Sequence, residues 1–351
     1  MSTLLAIVAR VRLLHVMALI LGIAGFALLV DRVGWDAMQR AVTEAGWWFA
    51  WIALIDLASV FTDAAGAYCF VRAEADVSYW RVFAAQASGI SINRLTPGNS
   101  LGEAIKVTML VDHVPKNVAV AAIVKFNLAT LYVALTVVVL GVPLTLLGLD
   151  LPPRVELAVW IGTAAVVVVG VLLALLLRRG AVSSLIAAAR RMHLVSDARA
   201  GRWTTKVASI DASIQAFGNP WSRRGVMVIA GSRLLHFAAT IAVLRAAAVP
   251  MTAPIVIGML SVGIIVLWMS NIVPLGLGLA DGTNYILYGA LGSSPLAGLA
   301  FTMVNRTRTC VLAAMGLTVM AVANLFDRAR PLSVRDADGA SDARTEAGAT
   351  P

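Results

Sequence analysis

One polar pattern occurs twice in a chain that is otherwise apolar. The first copy, residues 93–103, reads NRLTPGNSLGE, and the second, residues 271–281, reads NIVPLGLGLAD. In each, an Asn (Asn93, Asn271) stands ten positions before an acid (Glu103, Asp281). Pro and Gly lie between them: Pro97 and Gly98 in the first copy, Pro274, Gly276 and Gly278 in the second. A further Asn follows each acid by twenty-four positions, at Asn127 and Asn305. Only 13% of the 351 residues are charged and 60% are hydrophobic, whereas soluble domains carry about 25% charged residues. The bilayer is therefore the solvent for most of this chain. Irregular backbone at membrane depth is tolerated only where it is buried in protein or lines a wet cavity. Two such breaks in corresponding halves point to a site between internal repeats. The expected fold is all-α: a polytopic membrane helix bundle of about 7–8 spans with two re-entrant or broken motifs.

The net charge of +9 does not point to nucleic acid. The basic residues cluster in loops beside apolar runs, where topology and anionic lipid account for them. The two cysteines, Cys69 and Cys310, have neither disulfide nor metal spacing and read as small core side chains. Arg10 and Arg12 precede an apolar run that is long and lacks a small-residue cleavage site before Asp31. It reads as an uncleaved first span rather than a signal peptide.

Apolar runs place spans at 13–30, 47–70, 118–141, 155–177, 225–248, 252–272 and 295–323, with 82–112 and 273–293 interrupted. The stretch 178–224 holds nine Lys and Arg, from Arg178 to Arg224, against Asp197 and Asp211. The positive-inside rule puts it in the cytoplasm, and with it the N-terminus, in what would be a bacterial inner membrane. Arg328, Arg330 and Arg335 argue for a cytoplasmic C-terminus, whereas seven crossings would leave it outside. One extra crossing within 273–293 would remove that conflict and let the two halves run in opposite senses. The organisation that follows is a first membrane half (1–177), a basic connector (178–224), a second half (225–325) and a polar tail (326–351) with the composition of a disordered segment. Within the connector, AVSSLIAAARRMHLV reads as a basic amphipathic helix on the leaflet or as a solvated link.

Ionisable groups in spans cost about 2.5–3.5 kcal/mol each on insertion scales and so need a reason. Asp56 and Asp63, seven apart, share one helix face and read as partners for basic residues elsewhere. Glu103 and Lys106, three apart, can pair on a helix that starts after Pro97-Gly98, with Asn99 or Ser100 as cap. That helix start, with Lys106, suits an anionic headgroup; the other reading is an interfacial helix with a snorkelling Lys. Arg233 and His236 share a face with no acid one turn away, so they need a carboxylate from another helix or a wet cavity. Arg233 suits phosphate oxygens; His236 is either a titrating group or a hydrogen-bonded packing residue. Lys125 and Arg245 also lie in spans, Arg245 near an end where it can snorkel. Arg306 and Arg308, two apart, point to separate faces, while Asn305 and Arg308 can share one. Asp281, in GLGLADG, has no basic neighbour in sequence.

No HExxH, GxSxG, Walker or Cys–His pattern is present, so no strong catalytic signature and no cofactor is expected. Asn93, Pro97, Gly102, Glu103 and Lys106, in INRLTPGNSLGEAIKVTML, resemble the first signature of the lysylphosphatidylglycerol synthase transmembrane-region family, also called the flippase-like domain family. Pro274, Gly276, Gly278, Asp281, Gly282 and Arg306 resemble its second signature, with Asp where the family usually has Glu. The resemblance spans roughly residues 13–325. It implies a stand-alone member without the cytosolic aminoacyltransferase domain of fused relatives.

The resemblance also implies lipid handling. The expected function is translocation of a phospholipid or lipid-linked headgroup, the partner being a membrane lipid with an anionic headgroup. Asn93, Glu103, Lys106, Arg233, His236, Asn271, Asp281 and Arg306 are the candidate binding residues. Two alternatives stand beside it: a membrane-embedded lipid-modifying enzyme using Glu103 or Asp281 as base, and a non-transporting partner of a cytosolic lipid-synthesis enzyme.

Overall fold

The computed structural model describes residues 34–96, 101–148, 153–178, 219–270, 279–291 and 293–329, with Ala212 and scattered residues between 17 and 31. The 13–30 run is thus only partly described. Pro97 to Ser100, Asn271 to Gly278, nearly all of the connector and the tail lie outside the described residues.

Local sequence sets where the helices start and stop. A short helix, α1 (Trp35–Ala45), is bounded by Gly34 and Gly46 at φ +83° and +54°, backbone that other residues rarely adopt. Its buried Met38, Ala41 and Ala45 fall on one face while Asp36, Gln39 and Arg40 face outward. Next comes α2 (Trp47–Arg72). The following helix, α3 (Tyr79–Leu95), stops at an extended Thr96, because Pro97 excludes helical backbone in the residue before it. Thr96 Oγ1 donates to the Ile92 carbonyl at 2.7 Å, which satisfies one of the exposed helix-end acceptors. After the break come α4 (Leu101–Leu110), α5 (Lys116–Gly148) and α6 (Pro153–Arg178). Beyond the connector, α7 (Pro220–Ala246) has Pro in its first turn and Asn219 as cap, whose side chain accepts from Trp221 N at 2.9 Å. Then follow α8 (Ala253–Ser270), α9 (Leu279–Ala290) and α10 (Pro295–Ala329).

These lengths repeat. Helices α2 to α5 have 26, 17, 10 and 33 residues; α7 to α10 have 27, 18, 12 and 35. At 1.5 Å per residue, α3 and α8 reach roughly 26 Å, α4 and α9 only roughly 15–18 Å, against a hydrocarbon core of about 30 Å. Among the described residues, five helices are long and apolar enough to cross: α2, α5, α7, the 156–175 part of α6 and the 295–326 part of α10. The run at 252–272, expected as a crossing, is the 18-residue α8, apolar over Ile255–Trp268. In order and length it is the counterpart of the broken-segment helix α3, not of α2.

The two halves interlock. Helix α2 lies along α7, α3 packs on α10, and α8 packs on α5. Each of these crossings uses a glycine. A Cβ on Gly66 would meet Ile229 Cγ1 at 2.7 Å, and one on Gly225 would meet the Phe70 ring at 3.1 Å. Gly316 of α10 lies against Ser91 and Ala87 of α3, and Ser91 Oγ lies within hydrogen-bond range of the α10 carbonyls of Leu312 and Ala313. Gly141 of α5 faces Ser261 of α8, whose hydroxyl lies 3.2 Å from that of Thr145. Small residues at such crossings replace the hydrophobic drive that lipid removes. The outer helix α6 instead exposes Leu157, Trp160, Ile161, Val168, Val169 and Leu172, a surface suited to acyl chains. Cys69 and Cys310 are buried free thiols, as their surroundings in sequence indicated.

Candidate functional site

The first polar break folds into a hairpin of short helices. Gly102 lies against the Gly89 carbonyl, and the absent side chains let α3 and α4 touch backbone to backbone. Asn93 clamps the turn from both sides: its Oδ1 accepts from Gly102 N at 2.7 Å and its Nδ2 donates to Glu103 Oε1 at 2.8 Å. Lys106 Nζ reaches the same oxygen at 2.9 Å, and Asn127 of α5 donates to Glu103 Oε2 at 2.7 Å. One carboxylate thus holds three helices together. Lys106 is buried, with its ammonium 5.4 Å from the centre of the Phe126 ring. It is not a snorkelling residue.

The second acid is held in a related way. Asp281 lies in the first turn of α9, as Glu103 lies in the first turn of α4. Arg306 of α10, twenty-five positions on, donates to Asp281 Oδ2 at 2.6 Å. Asn305 was the expected counterpart of Asn127, but its Oδ1 instead accepts from Arg308 at 3.3 Å. The two arginines leave α10 in different directions, as their spacing requires. Asn284 and Thr302 join α9 to α10 through a buried hydrogen bond of 2.9 Å. Asn271 falls outside the described residues.

A third cluster sits where the halves meet. Asp56 and Asp63 line one face of α2 and are both buried. Arg308 of α10 grips Asp56 with Nε and Nη2, both at 2.6 Å. Asp63 receives Arg233 at 2.7 Å and Ser232 at 2.6 Å, with His236 Nε2 at 3.3 Å, all from α7. The carboxylate that Arg233 and His236 required is therefore Asp63. Lys125, fully buried on α5, pairs with Glu74 at 2.8 Å, in the loop after α2. Arg245 is exposed near the end of α7, where it was expected to snorkel.

Sequence reasoning missed Arg94. It follows Asn93 directly, on α3, and the fields of Arg308, Asp56 and Asp63 all reach it. Its Nε is buried without an acceptor. The signal was available: an Arg next to Asn93, in the last turn of the helix that the first break ends. Buried polar atoms without partners also include both amide atoms of Gln86, Ser88 Oγ, Arg233 Nε and His236 Nδ1, all on α3 or α7.

The seven described candidate residues thus fall into separate groups. Asn93, Glu103 and Lys106 meet at the first break, Arg233 and His236 at the interface between halves, and Asp281 with Arg306 at the second break. Comparison with curated proteins and with solved structures finds no match. Comparison with family models matches residues 13–316 to the lysylphosphatidylglycerol synthase TM region. The chain therefore belongs to that family of multi-pass membrane proteins related to lipid handling.

Proposed function

We propose that this protein moves a phospholipid, or a lipid-linked headgroup, between the leaflets of a bacterial inner membrane. The observation that carries the reading is the charged interior shared by both halves. Asp56, Asp63, Arg94, Arg233 and Arg308 come from four helices, and two half-helices that each begin with a held acid flank them. Such groups are expensive in a bilayer and line pathways for polar cargo. Unpartnered polar atoms on α3 and α7 suit a wet interior through which a headgroup can pass. The protein acts as a carrier, not as an enzyme.

The test is exchange of fluorescent anionic and zwitterionic lipids between leaflets of liposomes containing the purified protein. Exchange above that of protein-free liposomes is expected for the wild type. Glu103→Gln should bring it to background while most of the protein stays folded. Gln keeps the shape, but its amide nitrogen turns a donor toward Asn127 or Lys106, and Lys106 loses its counter-charge. Full exchange by the Gln variant would take Glu103 out of the mechanism.

The same reading carries a topology. With 13–30, α2, α5, α6, α7 and α10 as crossings, α3–α4 enters and leaves on the cytoplasmic side and α8–α9 on the opposite side. Both termini then lie in the cytoplasm, and the halves are inverted, as in transporters built from inverted repeats. Charge agrees: Arg72, Arg81 and Lys116 flank the ends of the first hairpin, whereas residues 247–252 and 291–294 contain no Lys or Arg. Single cysteines at Met251 and Ser293, in a chain without Cys69 and Cys310, should both react with an impermeant thiol reagent from outside. One at Asp112 should react only from the cytoplasm. Labelling of positions 251 and 293 from opposite sides would make α8 a crossing.

A further inference from the structure

We infer that the cluster between the halves is an oxyanion site for a phosphate group, with Arg94 as its principal cation. This deepens the lipid-translocation reading by naming the chemistry recognised. The charges gathered around the buried Asp56 and Asp63 do not balance. Arg94, Arg233 and Arg308 bring three guanidiniums to two carboxylates, and both carboxylates are already engaged. Asp56 gives both oxygens to Arg308. Asp63 serves Arg233, Ser232 and His236. Arg94 has no ion pair or hydrogen bond among the described residues, although Asp56 and Asp63 are close enough for their fields to reach it.

Elsewhere among the described residues, each buried cation of the interior has its own acid: Lys106 has Glu103, Lys125 has Glu74, and Arg306 has Asp281. An uncompensated guanidinium whose Nε is buried is costly. Arg94 is also the group whose charge an incoming anion would balance. The Nε atoms of Arg94 on α3 and Arg233 on α7 are both buried donors without an acceptor. A tetrahedral oxyanion accepts from several guanidinium N–H groups at once, and the oxygens of Asp56 and Asp63 already serve other donors. The anion can come from a lipid headgroup or from free phosphate in the cytoplasm.

The test measures thermal unfolding of the full-length protein in uncharged detergent, because a ligand that binds only the folded state raises the melting temperature. Inorganic phosphate, dihexanoylphosphatidylglycerol and the phosphate-free dihexanoylglycerol are titrated separately at fixed ionic strength, into wild type, Arg94→Gln and Arg94→Lys. Stabilisation by dihexanoylphosphatidylglycerol alone identifies a headgroup site; stabilisation by inorganic phosphate as well identifies a site for the oxyanion itself. In either case Arg94→Gln should weaken the apparent affinity at least tenfold and Arg94→Lys should keep part of it. Without ligand, Arg94→Gln should melt no lower than wild type, since it removes a charge that has no partner. That result separates lost binding from lost folding. Equal stabilisation of wild type and Arg94→Gln, stabilisation by dihexanoylglycerol as strong as by its phosphate-bearing analogue, or no stabilisation by either phosphate ligand would overturn the site. Binding without leaflet exchange would leave the site standing and sink the transport reading, since this assay requires no transport.

Discussion

Gly102→Ala is expected to destabilise the protein by about 3 kcal/mol, the upper part of the range for overpacking a tight contact. A methyl group here would meet the Gly89 carbonyl oxygen and the Asn93 side chain. The first is backbone of α3, so it can yield only if the two helices separate. The second holds Gly102 N and Glu103 at once, so moving it releases Glu103 from one of its three donors. Packing and site geometry therefore fail together, and leaflet exchange should be lost with stability. The matched control is Gly282→Ala, beside the other acid. There a Cβ meets nothing within 4 Å among the described residues, and the glycine lies within α9. Its replacement should be neutral or gain up to about 1 kcal/mol from helix propensity. Chemical unfolding in detergent reads both. A Gly102→Ala variant as stable as wild type would mean that α3 and α4 do not meet as closely as described.

The contrast between these glycines shows how much the sequence could say. The first break was legible in detail, because its groups are local. Asn93, Glu103 and Lys106 lie within fourteen positions, and the recurrence of the motif pointed to Asn127. The pairing across helices was not legible. Asp56 meets Arg308 over 252 positions and Asp63 meets Arg233 over 170, and helical periodicity gives the face of a helix but not its neighbour. Lys125 likewise finds Glu74 in a loop, where no pattern marks it. Hydropathy read α8 as a span for a related reason. An apolar run records what a segment is buried in, not whether it crosses, and α8 is buried against α5. Its true counterpart, α3, carries Gln86, Asn93 and Arg94, so composition hid the equivalence that helix order and length reveal.

Asp56→Asn should cost about 3–5 kcal/mol, the range for stripping one partner from a buried ion pair. Both side chains are buried, with relative exposures of 4% and 13%, and the two bonds to Arg308 are bidentate. Asn keeps one acceptor and turns its amide toward a guanidinium, which leaves two donors opposed and Arg308 uncompensated. The exposed pair Arg72–Asp76 gives the baseline: at 35% and 85% exposure, Asp76→Asn should cost no more than about 1 kcal/mol. A double replacement then separates holding the fold from serving the cargo. Asp56→Leu with Arg308→Met removes both charges and fills the space with apolar atoms, so stability should return to wild type within about 1 kcal/mol. Exchange should not return. Arg308 and Asp56 contribute two of the charges whose fields reach Arg94. With both gone, the excess of one guanidinium is kept but the polar groups that line this part of the interior are replaced by apolar atoms, which do not pass a charged headgroup. Recovery of stability without recovery of exchange would assign the pair to the transport path. Recovery of both would reduce it to a clamp between α2 and α10, and a cost below about 1 kcal/mol for Asp56→Asn would show that the pair is not buried as described.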